Sequence, residues 1–134
     1  MEKIVRTTHI IDAEGKILGR LATDVVRLLQ GKQKRDYSPA TDMGDMVVIK
    51  NASKINVSGK KAEQKVYRHH TLHPGGLKER PFKRVFASNP TEVIHLAIIK
   101  MLPKNRLRDV RLKRLKITPL GMIKKTEKTV VKKA

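Results

Sequence analysis

Hydrophobic and polar positions follow two periods along the chain, one typical of strands and one typical of helices. Apolar runs at residues 8–12, 46–49 and 115–117 predict strands, and the continuous run at 46–49 predicts a strand buried on both faces. Apolar residues at positions 18, 21, 22, 25, 26 and 29 recur at helical spacing, and Gly31 is placed to end that helix. The pattern therefore predicts a mixed α/β protein.

A second long helix is predicted after residue 88. Asn89 is a potential cap, Pro90 takes the first helical position and Pro103 ends the helix. Its apolar stripe is predicted to consist of Ile94, Ala97, Ile98 and Met101. The pattern also predicts a short helix at residues 81–86 and brief extended segments at 55–57 and 66–67. Loops are predicted at residues 32–45 and 69–76. Strands that alternate with helices predict right-handed βαβ units and a mainly parallel sheet.

The charge of the chain narrows the class of partner. Among 134 residues, 31 Lys and Arg stand against 12 Asp and Glu, a formal charge of +19, and residues 68–134 hold 18 of the basic residues and only 4 of the acidic ones. No cysteine is present, which excludes disulfides and thiolate zinc sites. We expect one domain and neither a signal peptide nor a membrane span, since no apolar run approaches roughly 18 residues. The excess charge predicts a polyanionic partner, with nucleic acid first.

The strongest candidate for that contact is the basic segment at residues 103–117. Seven of its fifteen residues are basic and one is acidic. If the segment begins as a helix, Lys104, Arg108 and Arg111 share one face, and we expect apolar residues to anchor the segment while its cations point outward. Arginine forks match phosphate oxygens and release condensed counterions. The alternative is a solvated charged face.

The small number of aromatic residues narrows the kind of nucleic acid. Single-strand binders stack bases on aromatic side chains, whereas this chain has two Tyr, two Phe and no Trp. The composition therefore favours a folded RNA that is recognised through its shape and its phosphates.

A second candidate is the histidine- and glycine-rich stretch at residues 67–76. We interpret it as a loop that brings backbone amides, Arg68, His69, His70 and His73 close to phosphate or ribose. A metal site is disfavoured because cysteine is absent and the first nearby carboxylate is Glu79. A general base would need an orienting partner that the sequence does not place beside it. The glycines could also serve only the turn.

A third candidate is the glycine-containing turn at residues 12–20, between the first strand and the first helix. Such turns hold nucleotide phosphates in several folds. Here the spacing fits neither the dinucleotide fingerprint nor the P-loop, because Lys16 precedes Gly19. A nucleotide-dependent enzyme is therefore a weaker alternative, as is a protein held at anionic membrane surfaces, because the basic segment lacks a wide apolar face.

The order of several motifs resembles the bacterial ribosomal protein L13 family of the large subunit. The motifs lie at residues 11–22, 31–39, 42–48, 51–59, 65–67, 70–76, 101–104 and 115–117; among them are Leu18-Gly19-Arg20-Leu21-Ala22, His70-Thr71, Pro74-Gly75-Gly76 and Met101-Leu102-Pro103-Lys104. Two features depart from the family. Arg108 stands where glycine is common, and the segment from Thr118 onward carries five lysines in place of the usual C-terminal residues.

The resemblance implies a three-layer α/β/α domain with a four-stranded, mainly parallel sheet at residues 1–117, followed by a basic tail at 118–134. It also implies a structural, non-catalytic protein of the cytoplasmic ribosome that binds large-subunit rRNA, supports assembly and touches neighbouring ribosomal proteins. We expect no cofactor, metal or small-molecule substrate, and we expect the tail to order only on RNA or a neighbour.

The residues predicted to bind RNA come from the matched motifs and from the basic segments. They are Arg20, Lys32, Lys34, Arg35, Lys60, Lys61, Arg68, His69, His70, His73, Gly75, Gly76, Lys104, Arg106, Arg108, Arg111, Lys113, Arg114 and Lys116.

Overall fold

The computed structural model describes residues 5–120, in which helices and strands are interleaved. In chain order the elements are β1 (Thr8–Asp12), α1 (Leu18–Gln30), β2 (Met46–Lys50), a 3-10 turn (Ala52–Lys54), α2 (Lys61–Gln64), β3 (Val66–His70), β4 (Leu77–Pro81), α3 (Phe82–Ser88), α4 (Pro90–Met101), α5 (Leu107–Lys113) and β5 (Leu115–Ile117). The mixed α/β class predicted from the sequence is confirmed.

Three parallel strands form the main sheet in the order β1-β2-β5. The central strand β2 buries Val47 and Ile49 completely, whereas Met46 and Val48 on its other face are half-buried. The prediction of a strand buried on both faces is therefore met in full on one face only. The expected fourth parallel strand and three-layer arrangement are not confirmed for residues 5–120. Residues 55–57 contribute only the bridge between Ile17 and Asn56, because the 3-10 turn before them and a turn after them leave too few extended residues.

Helix α1 follows its predicted limits and supplies much of the core. Leu21, Val25 and Leu29 are fully buried on one face. Gly31 ends the helix with φ at 79°, a left-handed conformation that glycine adopts without strain, and its amide donates to the carbonyls of Arg27 and Leu28. The helix packs against α4 and β2, so the core lies where these three elements meet.

Helix α4 begins and ends as predicted, but two details differ. The Asn89 side chain does not cap the helix; its Oδ1 accepts a hydrogen bond of 2.7 Å from the Thr91 hydroxyl. The fully buried residues are Val93, Ile94 and Ile98, whereas Met101 is 44% exposed. The buried face thus includes Val93 because α4 packs against both α1 and α3.

The histidine-rich stretch is only partly a loop, which corrects the sequence prediction. His69 and His70 lie in β3, which pairs antiparallel with β4, and the loop is confined to residues 71–76. Strand β4 escaped prediction because all five of its residues are exposed and its centre is charged, so it shows no apolar alternation.

The chain stays attached to the domain just beyond β5. The Thr118 amide donates to the Ile49 carbonyl at 2.9 Å, and the carbonyls of Thr118 and Pro119 accept from the amides of Ala52 and Ser53. Most of the predicted basic tail, from residue 121 onward, lies outside the described residues. Across residues 5–120, no helix combines the length and the apolar character needed to cross a bilayer.

Candidate nucleic-acid interface

The basic segment at residues 104–116 divides into outward and inward cations. Lys104, Arg106, Lys113 and Lys116 are exposed and Arg108 is half-buried, and none of the five makes a side-chain hydrogen bond or ion pair with residues 5–120. We call these five residues the outer cations. Arg111 and Arg114, by contrast, are only 1% and 9% exposed.

The expectation that all cations of this segment face outward is therefore wrong for Arg111 and Arg114. The shared face expected for Lys104, Arg108 and Arg111 is also wrong, since Lys104 precedes α5 and Arg111 turns into the protein. The physical reason is a carboxylate inside the domain. Asp42, from the loop between α1 and β2, needs positive partners because a buried charge without them is costly.

Asp42 holds Arg114 in a two-pronged ion pair. Arg114 Nη2 donates to Oδ1 at 2.6 Å, Nη1 donates to Oδ2, and Nη2 also lies 3.3 Å from the Leu29 carbonyl. Arg111 Nε is 3.9 Å from Oδ1, and Arg6 Nη2 is 3.5 Å from Oδ2. Burial raises the pKa of Asp42, but the hydrogen bond from Arg114 and the charges of the three arginines outweigh it, so the pKa is lowered overall.

Gly44 allows this arrangement by close packing. A Cβ atom at this position would lie 1.8 Å from the Leu29 carbonyl oxygen and 2.7 Å from Arg114 Nη2. Any side chain would therefore push the loop away from α1 and disturb the Asp42–Arg114 pair. Glycine at position 44 is a steric requirement of this site.

Asp45, three residues further along the same loop, organises a second cluster. Its carboxylate accepts from Gln33 at 2.6 Å and from the Thr7 amide at 3.2 Å, and it lies 2.7 Å from Lys34 Nζ and 3.1 Å from His9 Nε2. Burial alone would raise the pKa of Asp45, but the hydrogen bonds from Lys34, His9 and Thr7 lower it to about 2.

Lys34, one of the predicted RNA contacts, therefore forms contacts within the protein itself. Besides Asp45, its ammonium donates to the Val5 carbonyl at 2.8 Å, and its side chain is 24% exposed. Lys32 and Arg35, its neighbours in the loop, are exposed. The loop thus uses Lys34 for its own stability and presents the two flanking cations to solvent.

The hairpin of β3 and β4 presents another group of predicted contacts. Arg68 and Glu79 face each other across the strands, with Nε 2.6 Å from Oε1, and both are exposed. His70 Nδ1 accepts from the Leu72 amide at 2.9 Å, which leaves Nε2 for other partners. At the tip, the Gly76 amide donates to the His73 carbonyl, and Leu72 is 90% exposed.

These hairpin histidines do not assemble a metal site within residues 5–120, because no three metal-binding side chains of the described region come together. His69, His70, His73 and Gly75 are exposed, and Gly76 is half-buried. The hairpin is thus a polar projection whose tip is closed by its own hydrogen bonds, such as that from the Thr71 amide to the Gly76 carbonyl at 3.0 Å.

The remaining predicted contacts, Arg20, Lys60 and Lys61, are exposed near the start of α1 and at α2. Arg20 and Lys61 line a cavity together with Lys65 and Lys100, two cations that the sequence prediction did not include. No local signal connects these four residues, because they come from α1, α2, the residue before β3 and the end of α4.

Few aromatic side chains reach the surface. Tyr67 and Phe82 are 8% and 5% exposed, and Phe82 stacks on the half-buried Phe86 with ring centroids 5.5 Å apart. Tyr37 is half-buried. The described surface therefore offers many cations and few aromatic rings, which defines a basic α/β protein.

Comparison with known proteins gives the family. The family model described as Ribosomal protein L13 matches residues 6–119. The large ribosomal subunit protein uL13 of Aquifex aeolicus is 51% identical over 116 residues, 87% of this chain and 81% of the relative. The uL13 proteins of Rubrobacter xylanophilus and Clostridium tetani are 50% identical over 115 residues and 49% identical over 116. These alignments cover 86% and 87% of this chain, and 80% and 81% of the relatives.

The chain therefore belongs to the ribosomal protein L13 family, which confirms the resemblance seen in its motifs. This family consists of ribosomal structural proteins and is not known for enzymes.

Proposed function

We propose that the protein is a structural constituent of the large ribosomal subunit that binds large-subunit rRNA and supports assembly of the subunit. Its place in the cell is then the cytoplasmic ribosome, and its partners are the rRNA and neighbouring ribosomal proteins. Family membership supports this proposal, as do the names of relatives about 50% identical over most of the chain.

The observation that carries the RNA-binding part is the division of the 104–116 segment. Arg114 and Asp42 fix the segment to the domain, while the outer cations have no internal partner within residues 5–120. Cations held on a rigid element can meet phosphates without first losing the entropy of a mobile chain. The outer cations would therefore neutralise phosphates where RNA helices approach each other.

The loops add to this surface. We propose contacts by Lys32 and Arg35 beside α1 and by Arg20, Lys60 and Lys61 near α2. The hairpin would add contacts by Arg68, His69, His70, His73, Gly75 and Gly76. Glu79 holds Arg68 Nε and leaves its terminal nitrogens for phosphate. Lys34, Arg111 and Arg114 support the surface from inside and are not expected to contact RNA themselves.

The experiment is a salt titration of binding to large-subunit rRNA. With six or more phosphate contacts, affinity should fall about a thousandfold between 50 and 200 mM salt, because each contact releases condensed counterions. In parallel, the protein should co-sediment with the large subunit in low-salt buffer. A flat salt response, or failure to co-sediment with the subunit at low salt, would contradict the proposal.

A further inference from the structure

One cavity combines unneutralised positive charge with an apolar wall. It measures about 530 Å³ and lies between the start of α1, the segment after residue 56 and the end of α4. Arg20, Lys61, Lys65 and Lys100 line it, and none of its lining residues is acidic. Within residues 5–120, none of these four cations lies in an ion pair.

Two of the lysines are held by an aromatic ring instead of a carboxylate. The ammonium groups of Lys65 and Lys100 lie 5.5 and 5.9 Å from the centre of the Tyr67 ring. A ring face attracts cations but leaves their charge in place. Burial lowers the pKa of Lys65, and the positive charges of Lys100 and Lys61 lower it further because they repel its ammonium group.

An anion would relieve that repulsion, and the size and walls of the cavity indicate which anion. Ile17, Leu18, Val57, Ala97 and Met101 form an apolar side, and Met101 is 44% exposed although it ends a helix that is otherwise well packed. A phosphate ion alone would leave this apolar side and most of the volume unused. Cavities of 300–1,000 Å³ with an apolar wall and a few converging polar groups are typical small-ligand sites.

We propose that this cavity binds one nucleotide, with its phosphate among Lys61, Lys65 and Lys100 and its base against the apolar side. Arg20 and Ser58 lie on the lining as further donors. The nucleotide is either an unpaired residue of an RNA strand, which rests on the proposed function, or a free mononucleotide. Both sources present the same phosphate and base, and no chemical step is involved.

The first arm of the test uses free ligands and does not depend on RNA binding. Isothermal titration of the full-length protein with each nucleoside 5′-monophosphate is compared with inorganic phosphate. The second arm compares an RNA hairpin that carries one bulged nucleotide with the fully paired hairpin. An occupied cavity should give at least a tenfold preference for the nucleotide in one of the arms, since charge-assisted contacts and apolar burial add to each other.

Variants show whether the preference for a nucleotide arises in the cavity. Lys65→Gln with Lys100→Gln removes two cavity charges, and Ser58→Leu fills part of the cavity at an exposed position without changing charge. The matched control is Lys78→Gln with Arg84→Gln, which removes two exposed charges outside the cavity. The first two variants should abolish the preference, whereas the control should keep it and weaken binding to both hairpins equally.

The outcomes separate this proposal from the proposed function. No preference in either arm, or a preference that survives in K65Q/K100Q and S58L, overturns the nucleotide site. If both hairpins bind equally with steep salt dependence and no monophosphate is preferred over inorganic phosphate, RNA binding stands and the cavity proposal falls. If neither the hairpins nor large-subunit rRNA bind but a monophosphate does, and K65Q/K100Q loses it, the cavity takes free nucleotide and the RNA-binding function falls.

Discussion

Two arginines of the same short segment have different environments and different roles. Arg114 lies inside, bound to Asp42, and Arg106 lies outside with no internal partner within residues 5–120. The difference is set by a single carboxylate on a loop 72 residues earlier. Positive charge in a run is thus a poor guide to function until the partner of each cation is known.

Replacing Arg114, the buried arginine, should cause the largest change in stability. Arg114→Ala should lower the free energy of unfolding by about 3–5 kcal/mol, because it leaves the Asp42 charge without its main partner. Urea unfolding followed by circular dichroism measures this. The neighbouring Lys113→Ala is the control and should change stability by less than about 0.5 kcal/mol. Equal effects of the two substitutions would mean that Arg114 contributes no more to stability than the exposed Lys113, which would contradict the inward ion pair with Asp42.

Gly44 offers a way to disturb the same pair without touching a charge. Gly44→Ala should cost about 2–3 kcal/mol, because the new Cβ overlaps the Leu29 carbonyl and displaces the loop. Gly19→Ala is a matched control, since a Cβ there meets nothing within 4 Å. The comparison is again made by urea unfolding. A Gly44→Ala protein as stable as Gly19→Ala would contradict the described packing.

Asp45 should make stability depend on pH at the acid end. The pKa of this group is lowered to about 2 from its ordinary 3.8, so its contribution is fully present above about pH 4 and is lost as pH falls through 2. The difference in unfolding free energy between the protein and Asp45→Asn should shrink by about 2 kcal/mol over that range. A difference that stays constant from pH 5 to pH 2 would show that the Lys34 and His9 contacts do not lower this pKa.

The smallest expected effect concerns the exposed pair of the hairpin. Glu79→Gln should change stability by less than about 0.5 kcal/mol, because solvent and salt screen an exposed ion pair. It should also free Arg68 from its internal carboxylate and strengthen RNA binding slightly. Thermal unfolding and an RNA titration test the two parts, and a loss of affinity would show that Glu79 positions Arg68 for RNA.

Local sequence signals were enough to predict the elements that bury a regular apolar pattern. Gly31 and Pro90 mark one end each of α1 and α4, and the apolar run at 46–49 became the central strand. Strand β4 could not be predicted, because its pairing comes from backbone hydrogen bonds while its side chains stay in water.

The sequence predicted which cations belong to the candidate site, but it could not predict which of them form ion pairs inside the protein. Most of the predicted cations are exposed, as a solvent-facing basic surface requires, and their contacts with RNA stay predictions. Lys34, Arg111 and Arg114 are held by Asp42 and Asp45, which only the folded loop brings close. The cavity around Lys65 and Lys100 arises in the same way, because its four cations come from separate elements.

The central claim is that the outer cations bind RNA while the inner arginines hold the segment in place. It is tested most directly by the salt dependence of rRNA binding in the triple variant Arg106→Gln, Lys113→Gln, Lys116→Gln. The triple variant should keep an unfolding free energy within about 1 kcal/mol of that of the unaltered protein. Its salt slope should be smaller by about 0.9 for each of up to three lost phosphate contacts, with weaker binding throughout. An unchanged slope in a folded triple variant would show that the outer cations do not bind RNA.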